Sequence, residues 1–382
     1  MLAAALLFLA ALFVAYANGA NDNFKGVATL FGSDTASYRS ALALATITTF
    51  AGALCSAYFA EALVQAFSGK GLVPATVATA PDFLISVAAG AGATVFLATL
   101  LGFPVSTTHA LTGALAGSGL LAAGSQLNLV HLGTGFFAPL LVSPVLAVLL
   151  TIPCYRGLRT LAGRLGIKRE SCICVGAQQF VPVRQLQYNA ALQCYSMPAL
   201  APAGVDISVG TQNDCVEKYH GRLLGISGQS LANGLHYLSA GTVSFARGLN
   251  DTPKIVGLLL VAEAAHIELG VLAIATAMAL GGLLNARKVA ITMSRKIARM
   301  NDGQALTANL VTGLLVILAS RFGLPVSTTH VAVGAISGIG LTNGSADKGV
   351  MGGILASWLL TLPVAAAIGA LIYAWLGFFP LG

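Results

Sequence analysis

Two copies of the string Pro-Val-Ser-Thr-Thr-His hold the side chains best suited to binding chemistry in this sequence. The first copy spans 104–109 and the second spans 325–330, and both lie inside long apolar stretches. A proline biases the preceding residue away from helix, and the helix that follows exposes backbone N–H groups beside three hydroxyls. Such donor clusters favour an oxyanion, and two of them together would surround a tetrahedral one. The hydroxyls are those of Ser106, Thr107, Thr108, Ser327, Thr328 and Thr329.

A structural alternative exists for these strings. The hydroxyls would then only cap helices that pack closely through small residues such as Gly113, Gly117 and Gly119. The histidine that ends each string, His109 or His330, would carry a proton, donate to the anion or hold the loop in place.

An Asn-Asp pair interrupts the apolar sequence upstream of each string. The pairs are Asn21 with Asp22 and Asn250 with Asp251. A carboxylate at membrane depth must pair, bind an ion or line water. Helix capping is one interpretation, since Pro253 suits a first helical position. A broken helix whose free carbonyls and Asp oxygens bind sodium is the other.

A lysine follows each of these aspartates by three residues, namely Lys25 and Lys254. On a helix this spacing brings the ammonium close to the carboxylate. The lysine would either neutralise the aspartate in place of a coupling cation or contact the anion directly. Arg247 has no basic counterpart at Asn18, and it would contact an anion or pair with a carboxylate.

The composition is that of an integral membrane protein. Hydrophobic residues make up 56% of the 382 and charged residues only 9%, well below the share usual in soluble domains. Eight apolar runs are long enough to cross the lipid bilayer as helices, which predicts an all-α membrane protein. They lie at about 1–17, 40–62, 83–101, 127–152, 225–246, 264–284, 305–322 and 349–376.

The basic residues predict the orientation of the chain. The net charge is +7, but the basic residues form no single patch that would bind nucleic acid; eight of the 20 Lys and Arg lie within 154–222. By the positive-inside rule this segment faces the cytoplasm. We therefore expect a multi-pass protein of the cell membrane with both termini outside.

The two halves of the chain are copies of each other. The strings starting at Gly102 and Gly323 match at 11 of 18 positions, and NGANDNFKGVATL aligns with RGLNDTPKIVGLL upstream. An odd number of crossings per copy would invert the second copy relative to the first. The predicted domains are a first inverted transmembrane repeat at 1–153, a soluble cytoplasmic insert with cysteines at 154–222, and a second repeat at 223–382.

These four motifs, in this order, resemble the inorganic phosphate transporter (Pit) family, which includes sodium- and proton-coupled phosphate permeases and relatives that carry sulfate. The resemblance implies an inverted-repeat transporter with broken helices, in which 83–123 and 305–341 form paired re-entrant hairpins. It implies that phosphate is bound by the six hydroxyls with Asn21 and Asn250, and the spacing of Lys25 and Lys254 from the aspartates adds these two lysines to the candidate phosphate ligands. It also implies that sodium is bound by Asp22, Asp251, Asn21, Asn250, Thr108 and Thr329.

The chain departs from the family pattern directly after each Asn-Asp pair. Small residues and a further Asn often follow there, whereas this chain has Asn23-Phe24-Lys25 and Thr252-Pro253-Lys254. The number of coupled ions, and to some extent the substrate, therefore stay open.

The predicted function is secondary active import of inorganic phosphate, coupled to sodium or protons by alternating access. Sulfate or another tetrahedral oxyanion is the alternative substrate. We expect no enzyme activity and no cofactor besides sodium as a coupling ion, because a hydrolase using Ser106 and His109 has no reason to be duplicated in inverted copies. A passive anion channel would gain nothing from buried carboxylates. The apolar flank at 349–376 would suit a homodimer contact.

Overall fold

The computed structural model describes most of the membrane part and pieces of the insert. The described residues are 2–59, 63–64, 67, 69–164, 171–177, 187–189, 194–196, 205–211, 226–260, 267–298 and 300–378. The chain divides into two compact units, Met1–Tyr155 with His236–Gly382, and Arg156–Leu235. The expected boundaries of the insert, 154–222, are similar and stay a prediction.

The first half of the large unit is helical. Its helices are α1 (Leu2–Asp22), α2 (Ala28–Gly32), α3 (Tyr38–Phe59), α4 (Ala75–Ala78), α5 (Pro81–Leu101), α6 (Thr107–Ala123), α7 (Leu129–His131) and α8 (Ala138–Arg164), the last of which continues into the small unit. Short 3-10 turns at Lys25–Val27 and Gly124–Gln126 and a π-helical turn at Leu132–Phe137 connect some of them.

The second half of the large unit begins at His236, inside the long helix α9, and consists of helices of similar length in a similar order. Its helices are α9 (Gly228–Leu260), α10 (Ile267–Asn285), α11 (Arg287–Ile291), α12 (Asp302–Arg321), α13 (Thr328–Asn343) and α14 (Lys348–Leu376), with a π-helical turn at Thr292–Lys296.

The described helices confirm an all-α membrane protein. Seven of them are long and apolar enough to cross a membrane by length and composition. They correspond to seven of the eight predicted runs. The eighth run, 225–246, lies largely in α9, which is not one of the seven.

The small unit contains short strands. β1 (Ser171–Ala177) pairs antiparallel with β4 (Val205–Thr211) and β5 (Ile226–Ser227), and β2 (Gln187–Asn189) pairs with β3 (Cys194–Ser196). β4 contains the segment VDISVG, in which apolar and polar residues alternate as in a half-buried strand.

The two Asn-Asp pairs have different local structures. α1 ends at Asp22 and is followed by the 3-10 turn, as a broken helix requires. In contrast, α9 runs without interruption through Asp251 and contains Pro253, so both the capping and the broken-helix interpretation are wrong for the second pair. The proline removes one backbone hydrogen bond, while ion pairs from Asp251 to Arg247 and Lys254, one turn away on either side, stabilise the helix.

Two matched helical hairpins contain the hydroxyl strings. α5 and α6 form the first hairpin, α12 and α13 the second. Each turn has a glycine with positive φ, Gly102 at 79° and Gly323 at 67°, a conformation that favours glycine. After each glycine comes a non-helical Pro-Val segment, and the next helix starts at the first threonine. The segments 83–123 and 305–341 thus contain helical hairpins, and their re-entrant course in the bilayer stays a prediction.

The first hairpin packs against α1, which carries an Asn-Asp pair, and against α14 of the second half. α5 packs along α1, and both helices of the first hairpin pack along α14. α1 also packs along α10, and α3 contacts α9, where the Thr49 hydroxyl donates to the Ser244 carbonyl at 3.1 Å. Each half therefore contributes helices that contact the other.

A glycine substitution tests the close packing of α6 on α14. A Cβ at Gly117 would overlap the backbone of Ala366, whereas a Cβ at exposed Gly352 of α14 has no atom of the described residues within 4 Å. We expect Gly117→Ala to lower the free energy of unfolding by about 1–3 kcal/mol through overpacking. Gly352→Ala should be neutral or stabilising by up to about 1 kcal/mol. Thermal unfolding of the purified chain in detergent measures both, and equal shifts would contradict this packing.

Candidate functional site

The serine of each string fixes the start of a hairpin helix. The Ser106 hydroxyl oxygen accepts from the His109 backbone N–H at 3.1 Å, and that of Ser327 accepts from His330 at 3.2 Å. Both serines are N-caps in extended conformation. The predicted capping role is therefore real for the serines, and it places the two threonines that follow at the first turn of each helix.

Asn21 holds the first hairpin turn in shape. Its side-chain amide donates to the Phe103 carbonyl at 3.0 Å and to the Thr99 hydroxyl at 2.9 Å, and its oxygen accepts from the Val105 N–H at 3.1 Å. These bonds satisfy backbone groups that the Pro-Val segment leaves outside a helix.

Asn250 does the same work in the second hairpin. Its amide donates to the Val326 carbonyl at 3.3 Å and to Asp251 at 3.1 Å, and its oxygen accepts from the Ser320 hydroxyl at 3.2 Å. Ser320 stands seven residues before the serine of its string, as Thr99 does in the first copy. The two asparagines are thus equivalent anchors of the two turns.

Lys25 joins three separate pieces of the chain. Its ammonium lies 2.5 Å from Asp22 Oδ1, donates to the Val105 carbonyl at 2.6 Å and to the Thr329 hydroxyl at 2.5 Å. The first acceptor lies at the end of α1, the second in the turn of the first hairpin, and the third on the second hairpin. The predicted proximity of the lysine to its aspartate is present in the structure.

Lys254 repeats this arrangement with the two halves exchanged. It lies 3.3 Å from Asp251 Oδ1, and it donates to the Val326 carbonyl at 2.9 Å and to the Thr108 hydroxyl at 2.7 Å. Thr108 belongs to the first hairpin, so each lysine reaches across to the threonine of the opposite copy.

The two aspartates lie near each other, and Asn18 stands between them. One side-chain nitrogen of Asn18 is 3.3 Å from Asp22 Oδ2 and 3.1 Å from Asp251 Oδ2. The same nitrogen is 3.0 Å from the Thr107 hydroxyl. Since one amide group reaches both carboxylates, the two halves share a single site.

Arg247 pairs with a carboxylate and with two asparagines. Its Nε lies 3.6 Å from Asp251, and its terminal nitrogens donate to Asn18 Oδ1 at 2.5 Å and to Asn23 Oδ1 at 3.1 Å. The sequence left two roles open for Arg247, contact with an anion or pairing with a carboxylate. In this conformation Arg247 pairs with a carboxylate.

The charged side chains of this cluster are cut off from solvent and carry a net positive charge. The five residues are at most 3% exposed: Asp22, Lys25, Arg247, Asp251 and Lys254. Three cationic groups face two carboxylates, which leaves one formal positive charge. Buried charge without a partner is costly, so the cluster is suited to an anion that brings the missing negative charge.

The two histidines of the strings face each other. The rings of His109 and His330 have centroids 4.3 Å apart and meet edge to face. His330 also contacts the Trp358 ring at 3.8 Å, and its Nδ1 lies 3.1 Å from the Leu140 carbonyl. The histidines thus bring the starts of α6 and α13 together, which supports the third of their predicted roles, holding the loop.

All the predicted site residues lie at the two hairpin turns or on the α1 and α9 segments beside them, and each is buried. Three polar contributors were missed from the sequence: Asn18 between the aspartates, and Thr99 and Ser320 behind the asparagines. Extending the alignment of the two strings upstream would have paired Thr99 with Ser320. The alignment gives no such signal for the role of Asn18, because the residue aligned with it in the second copy is Arg247.

Replacing Asn18 tests how much of the cluster depends on this one amide. Asn18→Ala removes the donor between two carboxylates and the acceptor of Arg247, which leaves buried charges less well paired. We expect the free energy of unfolding to fall by about 2–4 kcal/mol, measured by thermal unfolding in detergent. Gln126→Ala, which removes an exposed amide, should change it by less than about 0.5 kcal/mol. Similar small effects for both variants would contradict the bridging role.

Comparisons with known proteins give the fold and the family. A structure entitled "The sodium-dependent phosphate transporter" aligns with 99% of this chain and 100% of its own, with a TM-score of 0.75 and 22% sequence identity. At this identity the likeness concerns the fold.

Sequence relatives cover nearly the whole chain. A protein of Thermococcus kodakarensis named as a phosphate permease is 30% identical, with 94% of each chain covered. The chloroplastic inorganic phosphate transporter 2-1 of Arabidopsis thaliana is 28% identical over 98% of this chain and 71% of its own.

The model of the phosphate transporter family matches residues 18–369, a range that includes both Asn-Asp pairs and both hydroxyl strings. Proteins of this family are transporters and permeases rather than enzymes. The chain therefore belongs to the phosphate transporter family.

Proposed function

We propose that this protein carries inorganic phosphate across the cell membrane by alternating access, with sodium or protons as the coupling ion. The observation that carries the proposal is the buried cluster between the two hairpins. It combines one net positive charge with hydroxyls from both copies of the string. The family and the names of its relatives support phosphate as the cargo.

The proposed binding site lies at the hairpin turns beside the charged cluster. Thr107, Thr108, Thr328 and Thr329 stand at the first turns of α6 and α13, where backbone N–H groups and the helix dipoles favour an anion. The capping serines Ser106 and Ser327 and the anchoring asparagines Asn21 and Asn250 hold these turns in place. In the proposal Asp22 and Asp251 set the charge of the site and accept hydrogen bonds.

The carboxylates favour phosphate over the alternative, sulfate. Phosphate at neutral pH keeps at least one hydrogen, which can be donated to a carboxylate or carbonyl oxygen. Sulfate has none, so a carboxylate beside it has only repulsion to offer. Asp22 and Asp251 provide such acceptors in this cluster, since a carboxylate has about four acceptor positions.

Alternating access is supported by the burial of the site and by its construction from two copies. A carrier must hold its cargo in a site that is open to one side at a time, between units that move against each other. Here the site residues are nearly inaccessible and come from both halves, as expected of an occluded conformation. Contacts between the halves, such as Lys25 with Thr329, would have to change when the site opens.

Orientation and assembly belong to the same proposal. We infer a multi-pass protein with both termini outside and residues 154–222 in the cytoplasm. The basic groups of Arg287, Lys288, Arg295 and Lys296 would lie on that same side. A homodimer contact along 349–376 would use a helix with exposed Leu355, Leu359 and Leu371.

Uptake into proteoliposomes tests the proposed cargo. We expect the purified chain to accumulate radiolabelled phosphate under an imposed ion gradient, and unlabelled arsenate, a close mimic of phosphate, to compete. Sulfate should compete at least about tenfold more weakly, since it leaves buried acceptors without a hydrogen. Accumulation of sulfate but not phosphate would contradict the proposal, and equilibration without accumulation would indicate a channel.

Threonine variants test the place of binding. Thr107→Val and Thr328→Val keep the shape of the side chain and remove a hydroxyl from the first turn of each hairpin helix. The Thr107 hydroxyl donates to Asp22 at 3.4 Å in this conformation and would turn from it to reach a bound phosphate. Each variant should weaken phosphate binding about tenfold to a hundredfold. The matched control is Thr276→Val, whose hydroxyl is exposed on α10 and bonds only within its helix, to the Leu272 carbonyl. Unchanged phosphate affinity in both site variants would place the cargo elsewhere.

A further inference from the structure

The two buried lysines admit two roles, and the structure distinguishes them. One role is direct contact with the transported anion, and the other is replacement of a coupling cation. The distinction depends on where the hydrogens of each ammonium point.

Each ammonium already has a full set of acceptors. A lysine ammonium has three N–H donors and no acceptor. Lys25 lies within 2.6 Å of three oxygens, and Lys254 within 3.3 Å of three. In this conformation no N–H of either lysine is left for an anion, which argues against direct contact.

The acceptors are the kinds of oxygen that bind a hard monovalent cation. Each set contains one aspartate oxygen, one main-chain carbonyl from a hairpin turn and one threonine hydroxyl from the opposite hairpin. Carbonyls of interrupted membrane helices and carboxylates are typical sodium ligands in transporters. Asp22, Asp251, Thr108 and Thr329 are four of the six residues that the family resemblance assigns to sodium. In each set, the lysine ammonium occupies the point where the three oxygens converge, which is where a bound cation would lie.

Charge balance supports the same role. Asp22 and Asp251 with Arg247 alone would carry one net negative charge, and a phosphate entering beside them would need additional cations to offset the repulsion. With Lys25 and Lys254 both protonated, the cluster carries one formal positive charge before anything binds. A singly charged phosphate would then be neutralised without any other ion.

We propose that Lys25 and Lys254 are built-in replacements for two coupling sodium ions, so that phosphate binds and is carried without sodium. The inference rests on the proposed function and specifies its coupling. Because the ammonium groups are covalently tethered, the two positions carry no sodium across the membrane. A sodium gradient contributes no driving force through them.

The test compares sodium with choline as the only cation supplied. Purified full-length chain in proteoliposomes takes up labelled phosphate at a fixed membrane potential, and phosphate-induced thermal stabilisation in detergent gives a second readout. We expect both to differ by less than about twofold between the two salts, because no sodium site has to be filled. A phosphate response that needs sodium, at least about tenfold larger than in choline, would overturn the inference.

Lysine variants test the replacement directly. Lys25→Ala and Lys254→Ala leave a carboxylate, a carbonyl and a hydroxyl around the vacated place. Sodium should then raise phosphate binding by about tenfold or more, as it compensates for the missing charge. Lys348→Ala, which removes an exposed lysine, should stay insensitive to sodium. Folded variants that bind phosphate equally well in both salts would overturn the replacement role.

The outcomes separate the two proposals. No phosphate response of the unmodified chain in either salt contradicts the proposed function. A phosphate response that requires sodium contradicts only the inference about the lysines. If neither alanine variant folds, the comparison of salts on the unmodified chain still decides.

Discussion

The structure of the site depends on two buried ammonium groups that each tie an aspartate, a hairpin turn and the opposite hairpin together. Lys25 contacts Asp22, the Val105 carbonyl and Thr329, and Lys254 contacts the equivalent groups with the halves exchanged. Such contacts are strong only when every charge is paired, since a buried charge without a partner is costly. They therefore make the relative position of the two copies specific, because a shift of one copy would leave buried charges without partners.

The rest of the fold makes this pairing possible. Proline and a left-handed glycine open each hairpin turn so that its carbonyls point to a lysine instead of continuing a helix. Asn21 and Asn250 each bond main-chain groups of one turn, and close packing of α6 on α14 supports the first hairpin. Sequence features that look independent thus serve one arrangement, in which main-chain oxygens and charged side chains meet inside an apolar protein.

Much of this could be predicted from the sequence, because duplication makes equivalent residues visible. Composition and apolar runs gave the helical membrane fold, and the matched strings indicated two equivalent hairpins. The spacing from Asp22 to Lys25 predicted an ion pair, since side chains three residues apart lie close together on a turn of helix. The reach of each lysine to a threonine about 150 to 300 residues away depends on tertiary packing, and so does the place of Asn18. The uninterrupted course of α9 past Pro253 also depends on neighbouring contacts that a local pattern does not contain.

The most direct test is a structure of the chain in lipid nanodiscs, determined with phosphate in a sodium-free buffer. We expect an anion between the hairpin turns, in contact with hydroxyls from both strings, while both ammonium groups keep their aspartate partners. An anion bound away from the hairpins, or lysines that leave the aspartates when phosphate binds, would contradict a site built on tethered cations.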